Sequence, residues 1–465
     1  MGPVRITEAD SFFFERQKLP LPHFTAEDYL ARLDLLTGRM LEKGVSHVVI
    51  YGDREHFSNI EYFSSYDCRF EEALLVVDKE GGRWIIVGNE GMGYSYQIPY
   101  PINRMLCQHF SLQGQPRDSS LALEKLLEQT GIRRGSRVGV VGYKYFYPTY
   151  TADPLHSFDV PMYMMEAIFA AAGRENVENF TSEITGLPDG IRMRVYTPKE
   201  IAWAEYSATK SADVLLNLFD ALEVGGQELE TSRYGKIDFT PVCMYSLVNF
   251  GAFNLSLGLR SPDDSILNLG DPCGLCYGAR GSLTSRTGIA ASSGDDWPRA
   301  LAEELENFYM PFWSAIAAWY ETIRVGTTGG ALYDAVMKII GGPEFGVALN
   351  PGHNTGMDEW TNSPVYRGST LPVLSGAYMQ CDIIASRQEP YFHNAICEDT
   401  VIIADETLRA GIAAQYPEMH ARIRARQEKM RSALGIRLDD SVLPMSNLNG
   451  VYFPFMLDIS RVFAK

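Results

Sequence analysis

The segment PGHNTG at residues 351–356 places a histidine, His353, between two glycines. Glycine beside a polar residue is typical of a loop or strand end where the backbone closely approaches another group. Further along the chain, Asp382 closes a β-rich run, and the segment CED at 397–399 opens another. Each feature alone fits an ordinary turn or strand edge, so the information lies in their order along the chain.

The first third of the chain alternates strand-like runs with helical stretches. A Thr cap followed by apolar residues near one face predicts a helix over Thr25–Lys43, and a second helix is predicted over Ser119–Gln129. Four short apolar runs bounded by Gly or Asp are predicted strands: His47–Tyr51, Ala73–Val77, Trp84–Val87 and Arg137–Val141. Residues 1–190 are therefore predicted to form an α/β domain.

The remainder of the chain has longer helices among further strand-like runs. The segment TPKE at 197–200 begins a predicted helix that ends near Leu222, because Pro occupies its first turn and Glu follows Thr by three positions. A second helix is predicted over Trp297–Ile323. The predicted strands are Ser265–Leu269, Thr284–Ala290, Ala377–Ile384 and Cys397–Ile403. Residues 191–465 are therefore predicted to be helices on a largely antiparallel sheet, an α+β arrangement.

Composition limits the classes of function. The 465 residues include 41 Lys and Arg against 58 Asp and Glu, which gives a net charge of −17. This acidic balance argues against nucleic acid or an anionic membrane as the main partner. No run of 18 apolar residues and no secretory leader pattern is present, and the seven cysteines are an odd number without a disulfide-dense block. We expect a soluble, cytoplasmic protein.

Common catalytic motifs are missing from the sequence. No Walker loop, no GxGxxG after a strand, no HExxH and no GxSxG occurs. The CGLC segment at 273–276 is a single CxxC pair without a second pair at zinc-finger spacing. Buried inert thiols are the favoured interpretation of this pair over a redox or metal role.

Taken in order, the motifs resemble the creatinase, prolidase and aminopeptidase P family, and the resemblance covers most of the chain. The Gly-His-x-x-Gly box is met at 352–356, the Glu-Asp-Thr-Val strand start at 398–401, and the family's domain junction at Arg192–Val195 followed by the TPKE helix. The HVVIYG run at 47–52 and the NIEYFS segment at 59–64 resemble parts of the family's N-terminal domain. The resemblance implies a C-terminal domain with the pita-bread fold after a smaller creatinase-type N-terminal domain.

Metal-dependent members of this family hold two divalent ions with two Asp, one His and two Glu, because close cations need shared negative charge. Here the first Asp position resembles Asn268 and the second resembles Leu283, whereas His353 matches, Asp382 replaces the first Glu and Glu398 matches the second. A leucine cannot bind a metal ion, so the resemblance implies no dinuclear centre.

Two family histidines that move protons and orient substrate also lack counterparts. One position falls near Asn254 and the other near Trp360. By resemblance, creatinase is the metal-free branch of the family and uses a His with carboxylates that hold a guanidinium-like group. This chain shares the loss of metal ligands but has no obvious match to that catalytic His.

The leading hypothesis is a metal-independent hydrolase or lyase with the creatinase-like fold, acting on a small polar amino-acid-derived, guanidino or amide molecule. His353 is the predicted acid and base, because its ordinary pKa lies near neutrality, and Glu398 and Asp382 orient it or bind a cationic group. Arg286 is predicted to hold a substrate carboxylate. The remaining predicted substrate contacts are Asn268, Asn254 and Trp360. The competing interpretations are a structural histidine for His353 and a strand residue paired with an acid for Arg286.

Two alternatives stay open. In the first, the chain is a catalytically inactive relative that binds a ligand or partner, and a cavity filled by Leu283 and Trp360 would favour it. In the second, His353, Asp382 and Glu398 hold a single Zn or Fe ion, with Cys276 or Cys381 as a further ligand. Strand alternation places Cys381 and Asp382 on opposite faces, so both cannot ligate easily.

A homodimer is implied by the resemblance, in which one subunit's N-terminal domain borders the partner's site. The aromatic cluster of Tyr62, Phe63, Tyr66 and Phe70 fits such a contact, and it fits a domain core as well.

Overall fold

The computed structural model describes residues 3–465, which form two compact units. One unit is His23–Arg192, and the other combines residues 3–22 with Met193–Lys465. The sequence-based boundary at residue 190 lies close to the observed one, but the predicted first domain differs at its beginning. Residues 3–22 belong with the second unit because Arg5–Glu8 pairs with Arg461–Ala464 and Phe13 is buried in that unit's core.

The unit His23–Arg192 contains a six-stranded mixed sheet with helices. Its helices are α1 (Ala26–Lys43), α2 (Ser58–Ser64), α3 (Asn89–Tyr94), α4 (Leu123–Gln129), α5 (Met162–Ala172) and α6 (Thr181–Thr185). Its strands are β2 (His47–Gly52), β3 (Ala73–Asp78), β4 (Arg83–Val87), β5 (Asn103–Leu106), β6 (Val138–Val141) and β7 (Val177–Asn179). Their order across the sheet is β5-β4-β3-β2-β6-β7, with β2-β3-β4 antiparallel and the outer pairs parallel.

Helix α1 shows why the sequence-based element predictions work in this unit. Thr25 and Asp28 form a capping box at its start, and Gly44 closes it in the left-handed conformation, at φ 69°. Its apolar positions Leu33, Leu36 and Met40 are buried. All four predicted strands are present to within one residue at each end.

The second unit contains a seven-stranded antiparallel sheet and seven helices within the described residues. Its helices are α7 (Pro198–Asp220), α8 (Glu228–Arg233), α9 (Ala252–Ser256), α10 (Met310–Thr322), α11 (Gly329–Ile340), α12 (Glu406–Gln415) and α13 (Pro417–Ser432). Its strands are β1 (Arg5–Glu8), β8 (Val242–Phe250), β9 (Pro272–Ala279), β10 (Ser282–Ile289), β11 (His353–Asn354), β12 (Ala377–Arg387), β13 (His393–Ile403), β14 (Val442–Pro444) and β15 (Arg461–Ala464). The order across the large sheet is β11-β12-β13-β10-β9-β8, with β14 also pairing with β13, and β1 pairs with β15 apart from it.

The two faces of this sheet have different neighbours. Odd-numbered residues of β12, such as Met379 and Cys381, lie in the main apolar core together with Phe312, Trp313 and Trp319 of α10. Even-numbered residues point to the other face, because side chains alternate along a strand. An α+β fold class is therefore confirmed, and the alternation sets which residues reach a cavity on that second face.

Three element predictions need correction. Residues 265–269 are not a strand but an irregular stretch with one bridge at Ile266, held by turns that end at Asp271. The helix predicted over 297–323 becomes α-helical only at Met310, after a 3-10 turn at Arg299–Leu301 and a π-helical turn at Leu305–Tyr309. The helix predicted from Ser119 begins at Leu123.

The structure also shows how far the predicted aromatic cluster is buried and that the cysteines form no disulfide bonds. Tyr62, Phe63 and Tyr66 are buried within their unit, whereas Phe70 is 68% exposed. All seven cysteines are free thiols. Among residues 3–465 no helix is both long enough and apolar enough to cross a bilayer.

Candidate active site

Four neighbouring strands of the large sheet present one row of side chains on the cavity face. Cys276 of β9 lies opposite Ser285 of β10, Ser285 lies opposite Glu398 of β13, and Glu398 lies opposite Asp382 of β12. All four line the same cavity. The row brings together two acids that are 16 positions apart in the sequence, with a thiol and a hydroxyl beside them.

His353 reaches this row from the short strand β11. It pairs with Gln380, two residues before Asp382, so the imidazole lies beside the Asp382 carboxylate. Gly352 has φ +111°, and a Cβ there would come within 2.8 Å of the Trp319 side chain and 3.0 Å of the Gln380 carbonyl oxygen. The glycine before the histidine is therefore required for this close approach, as the sequence motif predicts.

The histidine is held in one orientation by its backbone. His353 is fully buried, and its Nδ1 lies 3.1 Å from the carbonyl oxygen of Asn354. Since a carbonyl oxygen only accepts, Nδ1 carries the proton and donates it, so Nε2 of the neutral ring has a free lone pair. Nε2 points at carboxylates and is available to accept a proton or bind a cation.

The distances inside the site are longer than ordinary hydrogen bonds. His353 Nε2 lies 3.6 Å from Asp382 Oδ2 and 3.4 Å from Glu359 Oε1. Among the described residues, neither His353 Nε2 nor Asp382 Oδ1 has a hydrogen-bond partner. One potential ligand atom from each of His353, Asp382 and Glu398 lies within 4.8 Å of the others. Three buried polar groups thus converge, and two of their atoms have hydrogen-bonding capacity that no described residue satisfies.

Glu359 is the site residue that sequence reasoning missed. It lies in the irregular segment between β11 and β12 and lines the same cavity. The available signal was the pair of acids Asp358 and Glu359 directly after the Gly-His-x-x-Gly box. A third carboxylate therefore faces the two that strand positions supply.

Burial dominates the electrostatics of the cluster. It lowers the pKa of His353 to about 4, because no water solvates the imidazolium. Burial and then the Glu359 charge raise the pKa of Asp382, and burial, Asp382 and Glu359 raise the pKa of Glu398 well above its ordinary value. Burial and Asp358 raise the pKa of Glu359 to about 7. At neutral pH the imidazole is uncharged, and a hydrogen bond with Asp382 adds to the raised pKa of Glu398.

The cavity above the row has a volume of about 230 Å³ and mostly apolar walls. Its apolar lining includes Leu247, Leu255, Leu259, Leu283, Leu349 and Ile384. Trp360 also lines it and stacks on His353, with ring centroids 4.0 Å apart and planes 18° from parallel. The cavity therefore contains both the acids expected of an enzyme and the Leu283 and Trp360 expected of a binding protein.

Arg286 does not reach the cavity. Because Ser285 faces the cavity, the next residue of β10 faces the opposite side, where Arg286 is fully buried. Its Nη2 donates to Asp399 Oδ1 at 2.7 Å, and its other N–H groups donate to the backbone oxygens of Ser285, Glu398, Val451 and Leu448. No donor remains for a substrate carboxylate, so the structure favours the interpretation of Arg286 as a strand residue paired with an acid.

Two further predicted contacts lie outside the cavity lining. Asn268 is exposed in the turn before β9, where its side chain donates to Asp271 Oδ2 at 2.9 Å. Asn254 of α9 donates to Glu228 Oε1 at 3.0 Å and to Ser265 Oγ at 2.8 Å. The family resemblance assigns Asn268 to a ligand position in a strand, but residues 265–269 are irregular and Asn268 does not line the cavity.

The residues present do not fit a dinuclear metal centre. Besides Asp382 and Glu398, the row offers only Ser285 and Cys276, and burial raises the pKa of the Cys276 thiol well above its ordinary value. Cys381 lies in the core on the opposite face of β12, as alternation predicts. His353, Asp382 and Glu398 do form a three-ligand set of one imidazole and two carboxylates, which suits a single divalent cation.

The cavity on one face of the antiparallel sheet, with helices packed on the other face, is the arrangement of the pita-bread class of fold. Solved structures bear this out. The chain superposes on the Xaa-Pro dipeptidase from Bacillus anthracis with a TM-score of 0.61 and 14% identity, covering 81% of this chain and 96% of that one. For a recombinant prolidase from Thermococcus sibiricus the TM-score is 0.62 at 16% identity, over 82% and 95%. For a variant of Escherichia coli aminopeptidase P it is 0.57 at 12% identity, over 82% and 93%.

No protein-family model and no curated protein matches the sequence. The similarity to solved structures is one of fold, at identities of 12–16%. It confirms the predicted pita-bread fold, preceded by a smaller domain, for most of the chain.

Proposed function

We propose that the chain is a hydrolase that cleaves a C–N bond of a small molecule at His353, Asp382 and Glu398, without a dinuclear metal centre. The observation that carries the proposal is the convergence of these three buried groups within 4.8 Å at a cavity, with His353 Nε2 and Asp382 Oδ1 lacking partners. Buried polar atoms are nearly always satisfied, and exceptions are concentrated at functional sites. The similar structures include a dipeptidase, a prolidase and an aminopeptidase, which supports a hydrolase of this kind.

The arrangement assigns a role to each group. His353 Nε2 takes a proton from a water molecule, whose oxygen adds to the substrate carbon. The C–N bond breaks as Glu398 delivers its proton to the leaving nitrogen, and the proton on His353 then returns to Glu398 through Asp382. Each turnover consumes one water molecule and produces one amine and one acid or urea-type product. The lowered pKa of His353 keeps the ring unprotonated at neutral pH, and the raised pKa of Glu398 favours the protonated carboxyl that this step requires.

The test compares His353→Ala with His109→Ala, an exposed histidine of the other unit. Turnover is measured against a panel of dipeptides, acyl amides and guanidino compounds, and a thermal melt checks that each variant is folded. We expect His353→Ala to reduce turnover by about 10²–10⁴-fold and His109→Ala to leave it unchanged. A folded His353→Ala variant with full turnover would sink the assignment.

A second candidate is a hydrolase or lyase that works with one divalent cation, and the three-ligand set favours it. A cation held by His353, Asp382 and Glu398 would supply Lewis-acid polarisation and a lowered pKa of bound water. Elemental analysis of protein purified without chelator separates the two candidates. Stoichiometric zinc or iron, lost from Asp382→Asn together with turnover, selects the cation-dependent enzyme, and full turnover in metal-stripped protein selects the metal-independent one.

Leu283 and Trp360 in the cavity lining also suit a binding protein. That alternative predicts a ligand that binds to the wild-type chain and is recovered unchanged, with no turnover for any member of the panel.

A further inference from the structure

The carboxyl groups that line the cavity have no basic side chain beside them in the lining that residues 3–465 form. Glu359, Asp382 and Glu398 are its ionisable carboxyl groups, and no Lys or Arg belongs to the lining among the described residues. The Glu359 side chain is 23% exposed, whereas those of Asp382 and His353 are 3% and 0% exposed. Glu359 therefore lies at the solvent-facing end of the cluster, where an arriving molecule meets it first.

The polar atoms without partners are acceptors. Asp382 Oδ1 is a carboxylate oxygen, and His353 Nε2 has a lone pair because Nδ1 carries the ring proton. Glu359 Oε1 lies 3.4 Å from the same Nε2. An ammonium group has three N–H donors and no acceptor, so one such group matches three converging acceptors. A carboxylate offers acceptors only, so it supplies no donor to these three atoms, and it would be repelled by any acid of the lining that is ionised.

The cavity lining around these acceptors is apolar both in its buried part and at its solvent-exposed opening. Leu247 and Leu255 are buried in the lining, and Leu259 and Leu349, which also line the cavity, are 67% and 52% exposed. An apolar body attached to the cation would be removed from water along this path, at about 25 cal/mol per Å² buried. The acids and the leucines thus recognise two parts of one molecule.

We infer that Glu359 is a specificity-determining residue and that the cavity selects a molecule with a positively charged nitrogen group joined to an apolar body and without a carboxylate near it. This inference rests on the proposed function only in using the same cavity, and it names the class of substrate. Glu359 binds the cation at the cavity entrance and guides it to Asp382 and His353. The leucines hold the apolar part.

The test measures binding, without turnover, of three probes that share a phenyl ring and carry a cationic, a neutral or an anionic group: benzylamine, benzyl alcohol and benzoate. Titration calorimetry or tryptophan fluorescence reports binding, because Trp360 lines the cavity. We expect the wild-type chain to bind benzylamine about tenfold or more tightly than benzyl alcohol, and to show no benzoate binding. Glu359→Gln should weaken benzylamine binding by about tenfold or more and leave benzyl alcohol within about twofold.

Glu306→Gln is the matched control, because Glu306 is an exposed acid of the same unit outside the cavity lining and the charge change is identical. It should change the affinity of neither probe. The inference is overturned if wild-type protein binds the amine and the alcohol equally. It is also overturned if Glu359→Gln weakens both to the same extent or weakens neither.

Two further arms separate this inference from the proposed function. Metal-stripped protein is titrated with Zn²⁺ and with benzylamine, and binding of Zn²⁺ alone would show that the acids serve a metal ion and overturn the inference. If benzylamine binds as expected but no compound of the panel is hydrolysed, the specificity assignment stands and the proposed hydrolase fails. If neutral amides are hydrolysed and Glu359→Gln does not change their turnover, the proposed hydrolase stands and the specificity assignment fails.

Discussion

Glu398 and Asp399 are consecutive residues of β13, and both are buried, but they lie on opposite faces of the sheet in opposite electrostatic situations. Asp399 accepts from Arg286 Nη2 at 2.7 Å and from the backbone N–H of Gly450 at 2.8 Å. The Glu398 carboxyl forms no ion pair among the described residues, and burial with the charges of Asp382 and Glu359 raises its pKa despite a smaller opposite contribution from Arg286. The same kind of side chain is thus paired on the core face and left with like charges on the cavity face.

The difference separates a structural charge from a functional one. A buried ion pair with a full set of hydrogen bonds fixes the strands and the loop that it joins, and it leaves nothing for a ligand. Buried acids beside one another, with unpartnered acceptors at a cavity, lower stability unless a ligand or proton is present. Such sites are retained for binding or catalysis, which is the role proposed for the cavity face.

The largest expected effect on stability comes from removing the buried ion pair between Arg286 and Asp399 on the core face of the sheet. Arg286→Met leaves Asp399 buried without its cation, so we expect the free energy of unfolding to fall by about 3–5 kcal/mol in urea titrations. Arg437→Met, at an 85% exposed arginine side chain, is the control and should change stability by less than about 0.5 kcal/mol. A loss below about 1 kcal/mol for Arg286→Met would show that the pair does not stabilise the sheet. Arg286→Met/Asp399→Leu should recover part of the loss.

The next largest effect is a pH dependence of folding stability that comes from His353 on the cavity face. The pKa of His353 is lowered to about 4 from an ordinary 6.5, so the unfolded chain binds a proton in this window and the folded chain does not. Stability therefore falls as pH decreases from about 6.5 to about 4, by on the order of 3 kcal/mol from this group. In His353→Gln that contribution is absent, so urea unfolding at pH 7 and pH 4.5 should differ less than in wild type. The exposed His109→Gln should keep the wild-type difference, and equal differences in all three proteins would contradict the burial argument.

A matched amide pair tests the comparison most directly. At pH 8, Glu398→Gln removes a buried acid from among like charges, and we expect stability to rise by about 1–2 kcal/mol while turnover falls. Asp399→Asn makes the equivalent change on the core face and should lower stability, because Arg286 loses its counter-ion. Effects of the same sign in the two variants, measured by urea unfolding, would abolish the distinction between the two faces.

The smallest expected effect concerns the indole that covers the histidine. Trp360→Leu keeps an apolar side chain but removes the stack on His353, which should lower stability by about 0.5–1.5 kcal/mol. Chemical-denaturation curves provide the measurement. An unchanged curve would mean that the stack does not hold the imidazole in place, and that the Nδ1 hydrogen bond to Asn354 suffices.

The sequence predicts the fold well because its signals are local and ordered. The capping boxes at Thr25 and Thr197, the glycine before His353 and the polar breaks between strands each require a particular backbone conformation. Their order along the chain carries the pita-bread resemblance. The meeting of His353, Asp382 and Glu398 follows from the same motifs.

The rest of the site depends on register and on irregular backbone, which local patterns do not encode. Arg286 and Ser285 differ by one position in β10, and that single step decides which of them faces the cavity. The resemblance matches Leu283 to a metal ligand, yet the residue directly opposite Glu398 is Ser285. Glu359 enters through a segment without regular structure, so no periodicity could place it.

Strand β1 adds a consequence for how the chain is made. Arg5–Glu8 hydrogen-bonds only with Arg461–Ala464 in its two-stranded sheet, so β1 has no partner until more than 450 further residues have been synthesised. At 5–20 residues per second that delay is about 20–90 s, during which the unit His23–Arg192 has emerged complete. We therefore expect nascent chains to gain protease resistance in two stages, His23–Arg192 first and the unit that contains Met193–Lys465 only after Arg461–Ala464 has left the ribosome.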